Sequence, residues 1–206
     1  DPRTSSYLVP QRNQCLDCHE QLDGDQSRTD IIGPQARLLN RDNVYNGEVV
    51  NQLKHLELLG LLPQLPPLNS ISRATSWAKL RAQGVGNLQG EPLDVAARDY
   101  LDINCAHCHS PNAVEGQTSQ LYLNWDNDND FLMGVCKAPS SAGHGGLGRK
   151  WDIVPGEPDE SILVYRLETT KLGAMMPDLG RSLPHDRGIE LVRAWIQQMP
   201  TVTCNR

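Results

Sequence analysis

Two five-residue stretches constrain this chain more than any other feature: Cys15-Leu-Asp-Cys18-His19 and Cys105-Ala-His-Cys108-His109. Two cysteines separated by two residues and followed directly by histidine form the attachment pattern of c-type haem. The spacing has a chemical reason. The thiols add across the two vinyl groups of one haem, and the next residue ligates the iron from the proximal side. Rival chemistry fits less well. A redox Cys-x-x-Cys pair wants a βαβ context, which is missing here, and has no use for histidine twice. A four-cysteine zinc site usually draws its pairs from closer together than Cys18 and Cys105. The expected cofactors are two c-type haems, one on Cys15 and Cys18 with His19 as axial ligand. The other sits on Cys105 and Cys108 with His109 as axial ligand.

Covalent haem places the chain outside the cytoplasm, in a bacterial periplasm or beyond. There the two remaining cysteines, Cys136 and Cys204, are expected to form a disulfide tying a mid-chain loop to the C-terminal tail. The alternative is two separate thiols. Composition agrees with large cofactors. Only 38% of the 206 residues are hydrophobic, with a single Phe, while Gly 17 and Pro 14 point to a loop-rich chain. Such a thin core needs a staple or a buried prosthetic group. No run approaches the roughly 20 apolar residues of a membrane span. A net charge of −6 argues against nucleic acid as partner. The start at Asp1, without Met, reads as a processed protein or a domain of a larger secreted or membrane-anchored one.

The motifs lie 90 positions apart (105 minus 15), about one small helical haem domain each. Residues 1–68 are read as the first domain, 69–91 as a connecting segment and 92–206 as the second. The stretch from Leu62 to Leu68, with Pro63, Pro66 and Pro67, reads as an extended linker. Helices are expected over 92–103, over 161–167, over about 186–199 and over about 47–61. The 186–199 helix carries an Ile189, Val192, Trp195, Ile196, Met199 stripe and stops at Pro200. Another is expected within 70–83, capped by Ser70.

Helix, Cys-x-x-Cys-His, loops, Met-Pro and helix, in that order, resemble a bacterial cytochrome c domain. The stretch Trp151–Leu163 is similar to a "PGxPxxSxL" segment of such domains, and Ala174-Met-Met-Pro177 to their distal loop. Over its whole length the chain resembles secreted bacterial dihaem cytochromes c. The resemblance implies a mainly α fold of two tandem cytochrome c-like domains. It also implies Met176 as the sixth ligand of the second iron, with Met175 as the neighbouring alternative. Ile32-Gly33-Pro34 resembles the stretch whose proline carbonyl accepts the proximal histidine N–H, so Pro34 is placed in the haem environment. Arg149 and Lys150, beside Trp151, are candidate partners of haem propionates.

No Met lies between His19 and Met133, so the sixth ligand of the first iron stays open. His55 is the nearest candidate. His144, Tyr45, Lys54 and a five-coordinate iron are the others. His107 and His185 read as structural. Trp125–Asp130 resembles the start of a calcium loop but lacks its Gly and Glu, and reads as a solvated acidic turn. The function expected is electron transfer between redox partners, one of them a fused or associated oxidoreductase. The alternatives are a dihaem enzyme of peroxidase or thiosulfate-oxidising type with an unusual first site, and a sensory haem module.

Overall fold

The computed structural model describes residues 4, 6–140 and 146–205. Helix makes up 41% of the chain, alongside two small antiparallel hairpins. The expectation of a mainly helical chain is therefore met only in its helical part, and the hairpins are a correction to it.

The chain begins with a short helical turn α1, Leu16–His19, running directly into β1, Glu20–Asp23, and β2, Gln26–Thr29. The β1–β2 hairpin closes on Gly24, whose φ of 61° suits the first position of a two-residue hairpin turn. After α2, Ala36–Leu39, come β3, Asp42–Tyr45, and β4, Glu48–Asn51, closed by Asn46 and Gly47 at φ 52° and 89°. Asn-Gly is the preferred pair for a turn that needs two positive φ angles. The helix expected over 47–61 is thus shorter. Its first residues pair in β4, and α3 covers only Gln52–Leu58. Asn51 caps it, accepting from Leu53 N–H at 3.0 Å.

The segment 62–67 carries no regular structure. The next helix, α4, is Trp77–Gln83, and its cap is Ser76 rather than Ser70. Ser70 instead ends a short 3-10 turn. Then come α5, Gly90–Cys105, α6, Val114–Ser119, α7, Asp130–Met133, α8, Ile162–Glu168, and α9, Asp186–Gln198. No described helix is long and apolar enough to cross a membrane.

The core forms where α5, α8 and α9 pack together. It gathers Leu93, Ala97, Leu101, Val164, Leu191, Val192, Trp195 and Ile196, and the expected connecting segment adds Leu80 and Val85. Trp195 donates its indole N–H to Asp94 at 2.7 Å, tying α9 to α5. Disulfide Cys136–Cys204 joins the loop after α7 to the C-terminal tail, with Cα atoms 5.0 Å apart.

Gly188 sets how closely α9 approaches α5: a Cβ there would strike the Tyr100 ring. Gly188→Ala should gain about 1 kcal/mol of helix propensity. It should lose about 1–3 kcal/mol to overpacking. The net expectation is a lower urea midpoint. A raised midpoint would show that the steric contact yields freely.

Candidate cofactor site

Both Cys-x-x-Cys-His stretches adopt helical turns. The first spans the junction of a 3-10 turn, Arg12–Cys15, with α1. The second follows from the end of α5, where His109 N–H donates to the Cys105 carbonyl at 2.8 Å and Cys108 N–H to the same oxygen at 3.1 Å. In a helical turn, positions i, i+3 and i+4 share one face. Each stretch therefore sets its two sulfurs and its imidazole on one side of the backbone. Cys136 and Cys204 are joined in a disulfide, and the four motif cysteines take part in none.

Each motif histidine has a partner for its Nδ1. His19 Nδ1 lies 2.9 Å from the Asp30 carbonyl, an arrangement in which N–H donates. His109 Nδ1 lies 3.4 Å from Ser119 Oγ. Bracing one ring nitrogen orients the other, Nε2, toward a metal. The brace of His19 is a correction to the sequence reading, which placed it at Pro34. Pro34 is exposed, and the carbonyl comes from the end of the β1–β2 hairpin, where Asp30 N–H also donates back to the His19 carbonyl at 2.7 Å. Burial, with Arg166 nearby, holds the His109 imidazole neutral, its pKa pushed down to about 4. Burial likewise raises the Cys105 thiol to about 12.

The two motifs meet, although they are far apart in sequence. Sulfurs of Cys18 and Cys108 and a ring nitrogen of His107 lie within 4.8 Å of one another. Hydrogen bonding from Cys108, then from His107, lowers the Cys18 thiol to about 5. The approach is fixed by backbone. Leu22 N–H donates to the Asn112 carbonyl at 2.7 Å, and Gln21 forms an antiparallel bridge with Ala113. Gln21 Nε2 reaches the His107 carbonyl at 3.3 Å, and Cys108 Sγ the Asp17 carbonyl at 3.4 Å.

Beside Cys18 opens a cavity of about 520 Å³, with Ile31, Ile32, Leu38, Ile103 and Ala106 among its walls. Its polar wall includes Arg37, Asp102 and Asn124. Nε of Arg37 and Oδ1 of Asn124 are buried without a hydrogen-bond partner. Arg37 pairs with Asp99 and, at 3.1 Å, with Asp102. Its guanidinium lies 4.0 Å from the Trp125 ring centroid. Cys18 and His107 line this cavity together with the carboxylates of Asp30, Asp102 and Asp126, whereas Cys15, His19, Cys105, Cys108 and His109 do not.

The other candidates are distributed more widely. Met176 is half-buried beside buried Met175, its N–H donating to the Arg166 carbonyl at 2.9 Å. Burial and then the charge of nearby Asp178 raise the Asp17 carboxyl, and the same charge weakly opposes the lowering at Cys18, so the loop after Met176 runs beside the first motif. His55 stacks on Tyr45 with ring centroids 3.6 Å apart, and Lys54 pairs with Glu57 at 2.8 Å. His144 lies outside the described residues. Arg149 donates to the Asp159 carbonyl at 2.6 Å and covers the Tyr165 ring. Lys150 and Trp151 line a second cavity, of about 670 Å³, beside Cys204. His185 precedes α9 and meets Tyr100 Oη at 3.1 Å, the structural place read for it. Asp126, Asp128 and Asp130 are exposed, as a solvated turn requires.

Asp30, Ser119, Arg37 and Asn124 were not singled out from sequence. Only for Arg37 was there a local signal, in that a charge sits within the otherwise apolar Ala36–Leu39 turn. No family model matches the chain, and neither a curated protein nor a solved structure does.

Proposed function

We propose that this protein is a dihaem c-type cytochrome that carries electrons between redox partners outside the cytoplasm. The observation that carries this reading is the repeated arrangement at each motif. Two cysteines and a histidine occupy positions i, i+3 and i+4 of a helical turn, and the imidazole is hydrogen-bonded through Nδ1. Haem iron, when bound, supplies one-electron redox chemistry. The chain's part is attachment, orientation and electrostatics. Cys15 and Cys18 hold one group, Cys105 and Cys108 the other. His19 and His109 present Nε2, and Met176 is the thioether for the second site. His55 remains the candidate sixth ligand of the first site, beside the alternatives named above. Arg149, Lys150 and Trp151 belong to the outer haem environment of the second half. The oxidised Cys136–Cys204 pair supports a compartment that permits disulfides. Two cytochrome c-like domains, joined around 69–91, and a protein partner such as an associated oxidoreductase complete the proposal.

One observation favours a second reading. Cys18, His107 and Cys108 form a soft ligand set of the kind that holds zinc. The wide sequence spacing that counted against zinc is cancelled by the fold. Such a site, however, leaves Cys15, Cys105, His19 and His109 without a task, whereas haem uses all four.

Intact mass and the reduced pyridine haemochrome spectrum of protein made with a haem-attachment system decide between them. Two covalent haems are expected, falling to one in Cys105→Ala/Cys108→Ala. A chain without haem that carries one tightly bound zinc would overturn the proposal.

A further inference from the structure

We infer that Lys137 is a positioning residue for His109: its buried ammonium fixes Ser119, and Ser119 in turn braces the imidazole. The inference rests on the haem reading above and names what holds one of its two motif histidines.

Lys137 is 3% exposed and Asp152, its partner, 6%. A charge so deeply buried is costly unless it is paired and hydrogen-bonded. Nζ meets Asp152 Oδ2 at 3.1 Å and donates to the Ser119 carbonyl at 2.9 Å. A buried ion pair seldom stabilises more than apolar residues of the same volume would. Stability alone therefore gives little reason for a charge here, whereas the bond to Ser119 does. The same carbonyl accepts from Ser140 Oγ at 3.0 Å. Both of its lone pairs are then engaged, which fixes the tilt of the peptide plane. Ser119 Oγ lies 3.4 Å from His109 Nδ1 and accepts Leu121 N–H at 3.3 Å. The imidazole also hydrogen-bonds the Leu121 backbone. Residues 119–121 thus meet the ring as a unit, and Lys137 holds the start of that unit from behind.

Backbone pairing delivers Lys137 to this place. Cys136 N–H donates to the Ile153 carbonyl at 2.9 Å, and Asp152 N–H to the Lys137 carbonyl at 2.8 Å. Ammonium and carboxylate therefore rise from two segments that run side by side. The disulfide from Cys136 to Cys204 pins the residue just before Lys137. His19 is held otherwise: its Nδ1 meets the Asp30 carbonyl at an exposed position. Its ring serves as an internal control.

The test is ring-selective 1H–15N NMR of the reduced holoprotein, after intact mass has shown two haems. The variant is Lys137→Met/Asp152→Asn, which removes the lysine without leaving a buried charge unpaired. We expect the Nδ1-bound proton of His109 to move upfield, as a proton does when its acceptor recedes, while the His19 ring stays where it is. Ser119→Ala should move the same proton in the same direction. The two changes together should shift it by less than their sum, because residues acting through one another are not additive. A His109 signal unmoved in Lys137→Met/Asp152→Asn would overturn the inference. So would full additivity with Ser119→Ala, or an equal shift at His19, which would mark a general loosening. If the double variant fails to fold, 15N-lysine labelling of the unaltered protein decides. A slowly exchanging Lys137 ammonium with a cross-peak to Ser119 is expected, and an ammonium signal averaged with water would overturn the contact. A mass without haem would sink the haem reading alone, since both rings are then read directly in the metal-free chain.

Discussion

Arg37→Met is expected to destabilise the protein by about 3–5 kcal/mol, the usual cost of stripping one partner from a buried charge pair. Arg37 is 8% exposed, and Asp99 and Asp102 are 2% and 4%. Removing the guanidinium leaves two carboxylates facing one another without a cation. They cannot turn to water, since Asp99 also accepts Thr75 N–H at 2.5 Å and Asp102 accepts Trp125 N–H at 2.9 Å. The substitution also exposes one side of the Trp125 ring. For a chain of this size each kcal/mol shifts Tm by about 2–4 °C, so a fall near 10 °C is expected. Arg37→Met/Asp99→Asn/Asp102→Asn should regain most of that loss, because the amides keep an acceptor for each backbone N–H and no charge remains. If the single variant melts with the parent protein, or the triple variant melts lower still, uncompensated charge is not the cause.

Opening the disulfide should cost nearly as much. Cys136 and Cys204 are separated by 68 residues, and closing a loop of that size removes about 4 kcal/mol of unfolded-state entropy in the chain-entropy account. Among the described residues the tail beyond α9 has no regular structure to hold it, so Cys136→Ser/Cys204→Ser leaves it to its own weak contacts. We expect the guanidinium midpoint of the double variant to fall, and dithiothreitol to lower the parent protein to the same value. Cys136–Cys204 is the disulfide among the described residues, so the effect of the reductant isolates to this pair. A parent midpoint indifferent to reductant would show that the bond forms without stabilising.

The legible part of the fold is the part decided within a few residues. The apolar stripe from Ile189 to Ile196 identifies α9, and Pro200 its end, because helix periodicity and proline's missing N–H are local facts. Misreadings were also local. Val49 and Val50 fit a helical stripe from 47 onward, but Asn46-Gly47 is a stronger signal for a tight turn, and it placed both valines in β4. Ser70 and Ser76 are equally good caps by type. Only Ser76 precedes a helix, with its hydroxyl 3.5 Å from Lys79 N.

By itself the sequence determined the chemistry on offer: two sets of Cys, Cys and His at helical-turn spacing, and two further cysteines free to pair with each other. Spacing of three and four residues dictates a shared face whatever surrounds it. Only the tertiary structure decided that Cys18 meets Cys108, that Asp30 and not Pro34 braces His19, and that Arg37 crosses to Asp99 and Asp102. Those contacts arise from the path of the backbone between distant segments. That path is set by the summed burial of the α5–α8–α9 core and by strand pairing after each motif, which no local spacing records.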